Sequence, residues 1–120
     1  MPHLYVEYTA NLQGINEAAL LEQLNHTVCA HPTVTDEADV KTRIQALHSN
    51  YRIGLDNTGR AFVHAELRLM AGRTPEVKKA LSDRIAQVLK AAIPTQAALD
   101  VQLSVDIVDM DKGAYFKGKL

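Results

Sequence analysis

The stretch Ala61-Phe62-Val63-His64-Ala65-Glu66-Leu67-Arg68-Leu69-Met70-Ala71-Gly72-Arg73-Thr74-Pro75-Glu76-Val77 decides the fold, because its hydrophobic period changes part-way along. Ala61, Val63, Ala65, Leu67 and Leu69 alternate with other residues, which places them on one face of a strand. From Thr74 the signals are those of a helix start: a capping hydroxyl, a proline at the first helical position and an acid in the first turn. Val77, Leu81, Ile85, Val88 and Ala92 then recur as an apolar stripe, and Pro94 ends the helix. Val101, Leu103, Val105 and Ile107 alternate again, so a second strand follows.

Upstream of the turn Asp56-Asn57-Thr58-Gly59 the same plan occurs once more. Leu4, Val6 and Tyr8 alternate with His3, Tyr5 and Glu7 in a strand that begins at residue 3. Leu20, Leu21, Leu24 and Val28 have helical spacing, with Asn16 available as the cap and His31-Pro32 as the stop. Val40, Thr42, Ile44 and Ala46 mark another strand, whose opposite face carries Lys41 and Arg43 together. The chain therefore consists of two β-α-β halves, about 2–54 and 60–108, and a C-terminal tail. A helical crossover favours parallel pairing inside each half. The predicted fold is a single α+β, two-layer domain over 1–120: one four-stranded sheet with two helices on one face. The other face is expected to stay partly apolar and to be covered by further subunits.

Composition narrows the function classes. At 120 residues, 47% hydrophobic and 22% charged, the chain suits one compact core, and a domain of this size gains from oligomerisation. Thirteen Lys and Arg against 14 Asp and Glu give a net charge of −1, which supplies no field for nucleic acid or an anionic membrane. The single cysteine, Cys29, has no partner in the chain and fits a reducing compartment. No apolar run approaches the ~20 residues that cross a bilayer, and the start lacks the blocks of a signal peptide, so a cytoplasmic location is expected. The five histidines have no zinc spacing, and His3 and His64, each inside a strand, are expected to be hydrogen-bonded structural residues. Phosphate-binding glycine loops, Cys-x-x-Cys and Gly-x-Ser-x-Gly are absent.

Pro2 is the informative residue. A small second residue generally lets the initiator methionine be removed, leaving a secondary amine at the start of a strand. An α-amino group ordinarily titrates at about 7.7–8.0, and desolvation or nearby cations lower that toward working pH, where it serves as a general base. The pyrrolidine ring ties the nitrogen to the backbone. Arg73, where a strand gives way to a helix N-terminus, is placed to clamp a carboxylate, and Lys41 and Arg43 could hold a second one or polarise a carbonyl.

Pro2-His3-Leu4 with Val6-Glu7, then Ala61-Phe62-Val63-His64 and Ala71-Gly72-Arg73, in this order on a doubled β-α-β plan, resemble the 5-carboxymethyl-2-hydroxymuconate isomerases of the tautomerase superfamily over nearly the whole chain. The resemblance implies a homotrimer whose sheets form a central barrel, with sites around each terminal proline near subunit boundaries. It implies Pro2 as proton carrier for a carboxylated dienol of aromatic catabolism, without metal or organic cofactor, and Arg73 as the group that holds a substrate carboxylate or stabilises developing negative charge. Tyr115 and Phe116 resemble the family's closing segment and are expected to wall a site, their own or a neighbour's. One departure stands out: the family's Arg-x-Arg in the second strand is here Lys41-Thr42-Arg43, which trades a two-pronged donor for a point charge. Two alternatives stay open, a broader tautomerase acting on phenylpyruvate-like enols and a non-catalytic trimer that binds a small molecule.

Overall fold

A computed structural model describes residues 1–120 in full. Strand β1 spans His3–Thr9, helix α1 Glu17–Cys29, β2 Lys41–Leu47, β3 Arg60–Met70, helix α2 Pro75–Ala92 and β4 Asp100–Met110. Short 3₁₀ turns lie at Glu37–Asp39 and Lys112–Ala114. The sheet order is β2-β1-β3-β4. Pairing is parallel within each half, β1 with β2 and β3 with β4, as crossover helices require. The halves meet through antiparallel β1 and β3, with His3 opposite Arg68 and Tyr8 opposite Val63. An approximate two-fold axis normal to the sheet therefore relates them.

Local chemistry sets the helix limits. Asn16 caps α1 through a bond from the Ala19 N–H at 3.1 Å, and Thr74 caps α2 through one from the Val77 N–H at 3.2 Å. Both helices bury one stripe spaced by four: Leu20, Leu24 and Val28 on α1, Leu81, Ile85 and Leu89 on α2. Against them lie Leu4, Val6 and Tyr8 of β1 and Ala61, Val63, Ala65, Leu67 and Leu69 of β3, in one core shared by both halves. No helix is long and apolar enough to cross a membrane.

The uncovered face mixes polar and apolar residues. By register it carries His3, Tyr5 and Glu7, then Lys41, Arg43 and Gln45, then Phe62, His64, Glu66 and Arg68, with Gln102, Ser104 and Asp106 on β4. Charged and polar groups share it with apolar ones: Tyr5 on β1, Phe62 and Met70 on β3, and Val108 and Met110 on β4. Alternation sends most aliphatic residues of each strand to the helix side, with Val108 near the end of β4 an exception. Half-exposed aliphatics also occur on the helix side, as Val101, Leu103, Val105 and Ile107 of edge strand β4.

Thr9 is fully buried at the end of β1, where its Oγ1 accepts the Phe62 N–H at 3.2 Å. It supplies an acceptor just past the last backbone pair between β1 and β3. Thr9→Val keeps the shape but leaves that N–H without a partner, and is expected to cost about 1–3 kcal/mol of stability, read from urea unfolding. An unchanged midpoint would show that the hydroxyl contributes nothing.

Candidate active site

Antiparallel pairing of β1 with β3 brings the first residue of one half beside the last residues of the other, so four chain segments converge at one end of the sheet. Pro2 is buried there, and its carbonyl accepts the Lys41 N–H at 3.1 Å, which ties it to β2. Arg73 approaches from the β3–α2 connection. Gly72 precedes it at φ +126°, a backbone state that side chains disfavour, and this turn lets Thr74 cap α2 while Arg73 folds inward. Arg73 donates from Nη1 to the Met70 carbonyl at 2.9 Å, while its buried Nε has no partner. A buried donor without an acceptor is costly, and an anionic ligand would satisfy it.

Charge converges on the same point. Burial above all holds the Met1 amine below the ordinary value for a chain terminus; Asp39 opposes this, and Lys117, Arg73 and Lys41 add to the lowering. Two of the cations named from sequence, Lys41 and Arg73, are thus brought to the amine. Lys41 is also occupied, its Nζ donating to the Asp39 carbonyl at 3.2 Å and to the Ala38 carbonyl at 3.4 Å.

Arg43 shares the strand face of Lys41 but takes a different direction. Its guanidinium lies 4.1 Å from the centre of the Tyr5 ring, and both terminal nitrogens stand 3.4 Å from His3 Nδ1. Since guanidinium only donates, His3 accepts on Nδ1 and carries its proton on Nε2, which donates to the Tyr115 hydroxyl at 2.8 Å. His64 is likewise hydrogen-bonded, through Nδ1 to Ser104 Oγ at 2.7 Å. Tyr115 and His3 line an open cleft of about 350 Å³ with Tyr5, Arg68 and Met110. Phe116 is 90% exposed and walls nothing in its own chain. Pro2 lines none of the clefts of the single chain.

Two participants escape sequence reading. Asp39 sits in a polar connection, and Lys117 in a tail without periodicity; they meet across 78 residues at 3.1 Å. No local pattern encodes such a pair.

The family model for 5-carboxymethyl-2-hydroxymuconate isomerase matches residues 2–119. The chain belongs to the 5-carboxymethyl-2-hydroxymuconate isomerase family. A solved isomerase of that name from Deinococcus radiodurans R1 is 31% identical, with 99% of this chain and 90% of that one covered at a TM-score of 0.87. A fused 4-OT wild-type symmetric trimer is similar at 26% identity over 92% of this chain and 87% of that one, TM-score 0.72. A 5-carboxymethyl-2-hydroxymuconate delta-isomerase shares the fold at 20% identity and TM-score 0.65, covering 98% of this chain and 89% of its own. Among curated proteins none matches by sequence. Family membership makes the protein an isomerase of the tautomerase fold, and the end of the sheet that gathers Pro2, Lys41 and Arg73 is its candidate active site.

Burial first and Arg43 next hold His3 below its usual 6.5; burial, then Arg73 and Arg84, do the same for His31. Both therefore bind a proton less readily in the fold than in the unfolded chain, which takes up more protons as pH drops through 6.5 and below. Stability is expected to fall on acidification from about pH 7 to pH 5, followed as Tm by calorimetry. His3→Gln with His31→Gln should flatten that dependence, whereas an equal slope in the double variant would assign it to other groups.

Proposed function

We propose that the protein isomerises a carboxylated 2-hydroxymuconate-type dienol to its conjugated 2-oxo form, with the Pro2 amine as the proton carrier after removal of Met1. The observation that supports this most is the burial of Pro2 at the sheet end where Arg73 keeps a buried nitrogen without an acceptor, since burial favours a neutral amine. As free base, the Pro2 nitrogen takes the proton of the substrate's 2-hydroxyl, breaking O–H. The dienolate electrons shift along the conjugated chain, and the resulting ammonium returns the proton to a remote carbon, forming C–H. No atom is gained or lost, and the base is regenerated.

Arg73 holds a substrate carboxylate through its partnerless Nε and remaining guanidinium donors, and Lys41 adds positive potential where enolate charge develops. Arg43, committed to Tyr5 and His3, supports the strand face beside the site. Because Pro2 lines no cleft in one chain, a wall from a second copy fits, and we propose a homotrimer in which Phe116, exposed here, reaches a neighbour's site. The reaction needs no metal or organic cofactor, and a cytoplasmic role in aromatic catabolism suits it.

Occupation of the Lys41 ammonium by two carbonyls favours a second substrate range, since it leaves Arg73 as the one strong carboxylate clamp. Monocarboxylate enols of the phenylpyruvate type then become competitive with the dicarboxylate. A panel of both, followed by ultraviolet absorbance, separates the two. Binding of a dicarboxylate with no turnover of either class would instead identify a non-catalytic module.

Intact mass spectrometry is expected to show a protein lacking Met1, and retention of Met1 would end the Pro2 mechanism. Pro2→Ala should lower kcat by roughly 10²–10⁴, the range for loss of a positioned proton carrier, and a rate equal to wild type would remove Pro2 from the chemistry. Arg73→Ala should raise KM by roughly 10-fold or more, as expected for lost charge-assisted hydrogen bonds. An unchanged KM would place the carboxylate elsewhere.

A further inference from the structure

The cleft beside Tyr115 contains a chain of hydrogen bonds whose last proton has no acceptor. Its walls are His3 and Tyr5 of β1, Arg68 of β3, Met110 at the end of β4 and Tyr115 of the tail, around about 350 Å³. That volume lies in the ~300–1,000 Å³ range of small-molecule sites. Pro2, Lys41 and Arg73 do not line it, so the cleft is not the place where those three converge.

The direction of each bond follows from the first member. Arg43 can only donate, and both its terminal nitrogens stand 3.4 Å from His3 Nδ1, so that nitrogen accepts. Burial first, and the Arg43 charge next, disfavour the imidazolium, which keeps Nδ1 without a proton. The His3 proton is therefore on Nε2 and is donated to the Tyr115 oxygen at 2.8 Å. Tyr115 keeps its own hydroxyl hydrogen, and the chain offers no acceptor for it. An oxygen that already accepts a bond donates more strongly, so a polarised O–H is available to the cleft. Arg68 adds charge: its Nε pairs with Glu66 at 3.1 Å, which leaves its two terminal nitrogens for a ligand. The acids on the rim are engaged elsewhere, Asp109 with Lys78 Nζ at 3.3 Å and Asp111 with the Gly113 N–H at 2.9 Å. The rest of the wall is flat and apolar. The His3 and Tyr5 rings are 27° from parallel with centroids 6.5 Å apart, Arg43 backs Tyr5 at 4.1 Å, and Tyr115 meets His3 edge-on at 6.2 Å.

We propose that this cleft is a second ligand site, for a planar aromatic or unsaturated monocarboxylate whose carboxylate accepts from the Tyr115 hydroxyl and the Arg68 guanidinium while its flat body lies against Tyr5 and Met110. Both bonds are charge-assisted, and each donor is without a competing acceptor in the chain. A neutral ring of the same shape lacks the charge that these donors recognise. A dicarboxylate brings a second anion toward Asp109 and Asp111, which disfavours it. The site does not depend on Pro2 as proton carrier, since none of its groups enters that step.

The test is a titration of full-length protein with benzoate, followed by ¹H–¹⁵N NMR. Saturable binding is expected, with the shifts centred on His3, Tyr5, Arg68 and Tyr115. Tyr115→Phe and Arg68→Gln should each weaken binding about tenfold, as loss of one charge-assisted bond does, while Arg73→Ala leaves Kd unchanged. Benzyl alcohol, with the same ring and no charge, should bind at least about tenfold more weakly than benzoate. In the free protein the ¹⁵N shifts of the His3 ring should report the Nε2–H tautomer. The Nδ1–H tautomer would overturn the proposal, because Tyr115 would then spend its hydrogen on His3. Tyr115→Phe also loosens the tail, so Arg68→Gln is the deciding variant: wild-type affinity there would assign the Tyr115 effect to undocking and end the proposal. Absence of saturable binding, as when a neighbouring copy fills the cleft, would end it too. So would a Kd that weakens in Arg73→Ala but in neither cleft variant, since benzoate would then sit at the Pro2 end.

Discussion

Antiparallel pairing of β1 with β3 places the beginning of the first half against the end of the second, His3 opposite Arg68. Everything at the candidate site depends on that geometry. Were the halves joined by parallel central strands, the end of β3 would lie beside Thr9, and at about 3.3 Å per residue Arg73 would be some 20 Å from Pro2. The antiparallel junction instead brings together the chain terminus, the entry to β2 and the β3–α2 connection, and it leaves the C-terminal tail free to cross the same end. Buried Thr9, which receives the Phe62 N–H, extends this junction one residue beyond its backbone pairs.

The electrostatics of that end follow from the same arrangement. Three cations from three separate segments act on the terminus, and a single carboxylate opposes them. Such clustering is unfavourable without a ligand or a counter-charge. Arg73 retains a buried donor without an acceptor, whereas Lys41 turns back onto two carbonyls. Lysine at position 41 has this structural consequence: its point charge satisfies itself locally, whereas the planar fork of an arginine presents two coplanar donors.

Arg43 illustrates how a strand face divides into separate functions. It is on the same side of β2 as Lys41, two residues on, yet it sits over Tyr5 and fixes the tautomer of His3. His3 in turn anchors Tyr115. The result is a continuous chain of contacts from the second strand to the tail, which couples the uncovered sheet face to the end where Pro2 lies.

The sequence by itself determines the order of elements, because period-two and period-3.6 patterns report which side chains can be buried together along one segment. Asn16 and Thr74 as caps, Pro94 as a stop and the parallel pairing within each half are all local consequences of that kind. Pro2, Lys41 and Arg73 are recognisable as candidates from their chemistry and their positions at element ends. Only the tertiary structure decides that they converge, that Arg43 goes elsewhere, and that Lys117 meets Asp39. Those outcomes depend on the register and direction of β1 against β3 and on the path of a tail without periodicity. They join residues as much as 78 positions apart, and no local pattern carries that information.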